Sequence, residues 1–129
     1  MGKIRQTRKG KFGTPERQPH LRIIFATIGP GKARLLEWIA ETHSLTEAAR
    51  QMKMSYKRAW QLVEAVNACF REPLVESSTG GRTGGHSQLT ETGKQVVELY
   101  GAIHARSLAA AAKEMRRLHG LLKLPPAAD

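Results

Sequence analysis

The stretch from Ser44 to Phe70, SLTEAARQMKMSYKRAWQLVEAVNACF, constrains the rest of the chain most tightly. Ser44 followed by Glu47 is a capping-box pair, in which each side chain satisfies a free amide at a helix start. Ala48 and Ala49 are small enough for a second helix to cross close above them. Gln51-Met52-Lys53-Met54 then leads to Ser55, a second N-cap residue. The pattern predicts a helix over Leu45–Gln51, a tight turn, and a longer helix over Ser55–Phe70. Along the longer one, Ala59, Leu62, Val63, Val66 and Phe70 recur at helical spacing and define a buried face.

The opposite face carries Lys57, Gln61 and Glu64, flanked by Arg58 on one side and by Tyr56 and Trp60 on the other. A plain solvated face would also be polar, but it would carry Glu or Lys where the two aromatics stand. Helix, tight turn and helix, with cations and aromatics opening the second, describe a DNA-reading unit. Charge agrees: 21 Lys and Arg against 11 Asp and Glu leave +10, which favours a polyanionic partner through counterion release. That excess alone does not separate DNA from RNA or an acidic membrane.

Before this unit, residues 1–20 hold six Lys/Arg and one acid with no apolar period. They read as a disordered basic arm, able to add phosphate contacts. Leu21 to Ile28 is β-branched and short, and predicts a strand stopped by Gly29-Pro30-Gly31. Lys32 to Thr42 follows as a first helix, with Leu35, Leu36 and Ile39 inward and Trp38 at the stripe's edge.

After the unit, Leu74-Val75-Glu76 and Ser87-Gln88-Leu89 read as two short strands around a glycine-rich tip containing Arg82. A plain mobile loop is one reading of that tip; a wing beside the DNA-reading helix is the other. A phosphate-binding P-loop is not: Gly93-Lys94 is followed by Gln95, and Gln88 stands where the first glycine belongs. Thr90 caps a long helix from Glu91 to about Leu122. The helix is about 45 Å long at 1.5 Å per residue, and its stripe (Val97, Tyr100, His104, Leu108, Ala111, Met115, Leu118, Leu122) is too long to bury on so small a body. A second copy of the chain is the expected cover, although the first half could pack back on its own domain. Gly101 and the Ala109–Ala112 run permit close approach or a bend.

Cys69 lies beside the apolar stripe without a base motif and is expected as a small buried hydrophobe. A single cysteine excludes an internal disulfide and fits a reducing, cytoplasmic compartment. The five histidines are scattered without metal-ligand spacing, and no catalytic pair or nucleotide motif points to an enzyme. Neither a signal peptide nor a membrane span is visible.

Met54-Ser55-Tyr56-Lys57-Arg58-Ala59-Trp60, Pro73-Leu74-Val75-Glu76, Thr79-Gly80-Gly81, Gly84-Gly85 and Leu89-Thr90 with Gly93 closely resemble the N-terminal half of ModE-type molybdate-responsive regulators. That half is similar to the LysR-type winged helix-turn-helix, which dimerises through a long helix. The resemblance covers Leu21 to about Leu122. It implies a mainly α fold: a winged helix-turn-helix over residues 21–90 with a small antiparallel sheet and a dimerisation helix over 91–122; beyond it, Pro125-Pro126 end the helix and residues 123–129 are expected as a frayed tail. It implies that Ser55, Tyr56, Lys57, Arg58, Trp60 and Gln61 face DNA with Arg82 in the wing. Val97, Tyr100, His104, Leu108, Met115 and Leu118 are then the dimer seam. The expected function is binding of an inverted-repeat operator by a homodimeric regulator, a repressor linked by resemblance to molybdate transport or molybdoenzyme genes. Family members bind molybdate through C-terminal β-barrel modules; none is visible here, so no cofactor is expected in this chain. The rival expectation from charge is a sequence-tolerant nucleoid-associated or RNA-binding protein.

Overall fold

The computed structural model describes residues 21–25, 28–78 and 85–123. The basic arm, the hairpin tip with Arg82 and the last six residues lie outside them. Helices α1 (Pro30–Thr42), α2 (Leu45–Gln51) and α3 (Tyr56–Cys69) precede an antiparallel hairpin of β1 (Val75–Ser78) and β2 (His86–Leu89). Helices α4 (Glu91–Ala110) and α5 (Ala112–Leu121) complete the described fold. It is mainly α with one small sheet, as the sequence predicts.

Helix α1 starts two residues earlier than periodicity indicates. Pro30 occupies its first turn rather than ending a strand, because a first-turn residue needs no amide partner and proline's φ is already helical. The expected strand over Leu21–Ile28 is a correction too: its described residues do not join the sheet. Phe25 and Ile28 exchange both backbone hydrogen bonds with each other at 2.8 Å, which turns the chain back on itself. The Tyr100 hydroxyl donates to the Ile23 carbonyl, and His104 Nε2 lies 3.2 Å from the Leu21 carbonyl. Side chains of α4 therefore do what a neighbouring strand would have done.

Ile28, Leu35, Leu36, Ile39, Val66 and Leu74 are the largest fully buried side chains, with Ala48, Ala49 and Ala59 among them at the α2–α3 crossing. Small residues there let the two helix axes approach. The turn between α2 and α3 is a Schellman motif: Met54 N–H donates to Ala49 O and Lys53 N–H to Arg50 O, with Lys53 left-handed at φ 58°.

The predicted long helix is divided at Ala111, within the alanine run, where ψ rises to 9°. Ala111 N–H still donates to Ser107 O at 3.0 Å and Met115 N–H to Ala111 O at 2.8 Å, so the axis bends without unravelling. Cys69 is exposed, contrary to the buried hydrophobe expected. It stands off the Val66–Phe70 line at the last turn of α3, where no described residue covers it.

Candidate nucleic-acid interface

Helix α3 is fixed at its start by Ser55, whose Oγ accepts the Arg58 N–H at 3.0 Å. Ala59, Val63 and Val66 are buried beneath it. Lys57, Arg58 and Gln61 project to solvent together with Tyr56, 54% exposed, and Trp60, 48% exposed. Among the described residues neither Lys57 nor Arg58 is in an ion pair. Glu64 is exposed farther along.

The first turn of α3 is electrostatically inverted. Backbone amides make a helix N-terminus partly positive, so acids belong there and cations cost about 0.3–1 kcal/mol each. Helices α2, α4 and α5 follow the rule with Glu47, Glu91 and Glu114. Like α1, which has Lys32 there, helix α3 has no acid in its first turn, and it carries two exposed cations, Lys57 and Arg58. The arrangement concentrates positive potential and suits a polyanion brought to that end.

Helix α2 supports α3 and is itself capped by Ser44 Oγ, which accepts the Glu47 N–H at 3.0 Å. Only half of the capping box forms. Glu47 turns outward to Arg50, at 2.8 Å, and to Gln51, at 3.0 Å, while the Ser44 N–H goes to Thr42 Oγ1. The hydrogen bonds from Gln51 and then Arg50 hold the Glu47 carboxyl below its ordinary pKa.

The hairpin is placed beside α3 by Asn67, a residue whose role leaves no sequence signature. Its Oδ1 accepts the Leu74 N–H at 2.8 Å and the Val75 N–H at 3.2 Å, and its Nδ2 donates to Val75 O. On the other side, Ser87 N–H donates to His43 O at 3.1 Å, and the His43 and His86 rings stack with centroids 5.5 Å apart. The Ser77 and Ser87 hydroxyls meet across the strands at 2.9 Å. Thr90 joins hairpin to α4: its Oγ1 accepts the Gly93 N–H and donates to Pro73 O, and its N–H donates to Leu74 O.

Of the residues expected at a dimer seam, Tyr100 and His104 are only 4% and 7% exposed, used inside the chain by the 21–25 segment. Val97 packs on the core. Leu108 and Met115 are half-buried, and Leu118 is exposed. Leu99 and Ile103, absent from the predicted stripe, are exposed one turn apart on α4. Among the described residues no group of three or more His, Cys, Asp or Glu could hold a metal ion, and no helix is long and apolar enough to cross a membrane.

Residues 31–94 match the family of bacterial regulatory helix-turn-helix proteins of the lysR type. The molybdenum-pterin-binding protein MopA of Rhodobacter capsulatus is 42% identical over 76 residues, 59% of this chain and 29% of that protein. Its companion MopB is 37% identical over 102 residues, 79% of this chain and 36% of that protein. The transcriptional regulator ModE of Haemophilus influenzae is 41% identical over 73 residues, 57% of this chain and 29% of that protein. The chain thus spans about a third of the length of these relatives. A structure of Lactococcus lactis ZitR, an E41A mutant, superposes with a TM-score of 0.52 at 17% identity, over 78% of this chain and 70% of that one. That likeness concerns the fold.

Proposed function

We propose that the chain, whose residues 31–94 match the lysR-type helix-turn-helix family and which is similar to the transcriptional regulator ModE, binds double-stranded DNA sequence-specifically as a homodimeric transcriptional regulator. The observation that carries this reading is the inverted first turn of α3, with Lys57 and Arg58 exposed at the positive end of the helix. A helix that buries Ala59, Val63 and Val66 while presenting this turn fits the major groove. Lys57 and Arg58 match guanine edges and Gln61 matches adenine. Ser55, Tyr56 and Trp60 suit phosphates, sugars and thymine methyls, and Arg82 and the basic arm add backbone or minor-groove contacts. Two-fold symmetry makes the operator an inverted repeat. A role as repressor of genes for molybdate transport or molybdoenzymes rests on the resemblance to ModE-type regulators alone.

Competition tests the reading. Sites are selected from random duplexes, and a selected fragment is then challenged with random DNA. The selected fragment should survive an excess of random duplex, and Lys57→Ala and Gln61→Ala should remove that discrimination. Equal affinity for every duplex, or a preference for single strands, would establish the sequence-tolerant alternative instead.

A further inference from the structure

Tyr56 and Trp60 stand one turn apart on α3, and both remain about half exposed. The chain's other tryptophan is placed differently: Trp38 packs against the core, and the Arg34 guanidinium carbon lies 5.8 Å from its ring centre. Leaving two large rings half in water forgoes the burial that usually accounts for them in a fold. With about 3.6 residues per turn, Trp60 and Asn67 lie two turns apart on one side of the helix. Asn67 is the residue that grips the Leu74 and Val75 backbone. Lys57 and Gln61 point away from the buried Ala59–Val63–Val66 line, and the two rings form an apolar strip on the hairpin flank beside them.

We propose that Tyr56 and Trp60 are specificity-determining residues that read thymine through its C5 methyl group. The proposal rests on the DNA-binding reading above and decides which of the contacts open to these rings they make. Base edges present donors and acceptors along the floor of the major groove, and the thymine methyl is the apolar group among them. A helix seated with Lys57 and Gln61 toward the floor brings its flank to the groove wall, where the methyls project. An apolar strip gains there by excluding water from the methyl, whereas it would cost a phosphate its hydration. A protein partner over the same strip would desolvate the exposed Lys57 and Arg58 without a counter-charge, which a polyanion supplies.

Deoxyuridine lacks only that methyl and keeps every hydrogen-bonding group of thymine, so it tests the contact on the unsubstituted full chain. In a duplex selected for tight binding, the thymines are replaced by deoxyuridine one at a time. One or two positions in each half-site should each lose about fourfold in affinity, the worth of one buried methyl. Trp60→Ala and Tyr56→Ala are then measured on the same fragments. Each should weaken binding and reduce the penalty at its own position to within about 1.5-fold. The slope of log K against log salt should stay unchanged, because no cation is lost. Far-ultraviolet spectra check that α3 persists, and Trp60→Leu, which keeps apolar bulk at the site, should retain part of the penalty. Deoxyuridine tolerated at every thymine would overturn the proposal. So would a penalty that survives both alanine variants, or a salt slope that flattens when a ring is removed. A chain that binds selected and random duplexes equally would instead overturn the DNA-binding reading, and the proposal with it.

Discussion

A methyl group on Gly93 would stand 2.1 Å from the Leu74 carbonyl oxygen and 3.0 Å from its carbon. Both are backbone atoms, and that carbonyl already accepts the Thr90 N–H, so neither can step aside cheaply. Gly93→Ala should therefore cost about 2–3 kcal/mol, lowering the thermal midpoint by on the order of 10 °C. An unchanged melting curve would mean that the α4 start is looser than this contact implies. Tyr100 makes a second residue-level prediction. Burial, partly opposed by the Arg22 cation, holds its phenol above the ordinary 10.0. The folded chain keeps a proton that the unfolded chain releases, so this stability is complete below about pH 10 and lost as pH rises through the folded value. Tyr100→Phe removes that titration, so urea midpoints should fall less between about pH 9 and pH 11 than in the parent. Parallel declines would show that the phenol titrates alike in both states.

Among the elements, α3 was the most legible in sequence, because Ser55, the Ala59–Val63–Val66 stripe and the outward cations are all local signals. The hairpin was legible to within a residue or two at each end, since Leu74-Val75 and Leu89 mark its apolar ends and glycines separate its strands. The segment at 21–28 was not. A β-branched run specifies an extended tendency but not a partner, and here the partners are Tyr100 and His104, far away in sequence. Asn67 was hidden for a similar reason: an Asn in a helix says nothing about which strand amides it will meet. The inverted turn of α3 separates stability from binding. Lys57→Glu and Arg58→Glu should each relieve the helix dipole, raising stability by about 0.3–1 kcal/mol in denaturant titrations. The same changes should remove base or phosphate contacts and weaken DNA binding by about 1–3 kcal/mol each. Variants that lose stability and binding together would return α3 to an ordinary structural helix.

At the scale of the molecule, sequence periodicity marked α4 and α5 as carrying more apolar stripe than one small body covers, yet it could not say which residues the body would take. Tyr100 and His104 went to the 21–25 segment and Val97 to the core, because the turns of α4 from Val97 to His104 lie over the domain. The apolar groups left outward are Leu99 and Ile103 on α4, then Leu118, Leu121 and Leu122 at or beyond the bend. The proposed dimer seam therefore shifts to that set, with Leu108 and Met115 at its edge. Leu99→Asp with Ile103→Asp places two charges on this surface and none in the core. The parent should sediment as a dimer at micromolar concentration and the double variant as a monomer with an unchanged far-ultraviolet spectrum. The variant keeps α3, so it should still recognise a half-site. If a dimer neutralises about ten phosphates, its slope of log K against log salt is about −9, and the monomer's should be near half of that. A double variant that still dimerises would move the seam elsewhere on the surface, and one that loses even half-site binding would show that the helix pair, rather than the single domain, builds the reading head.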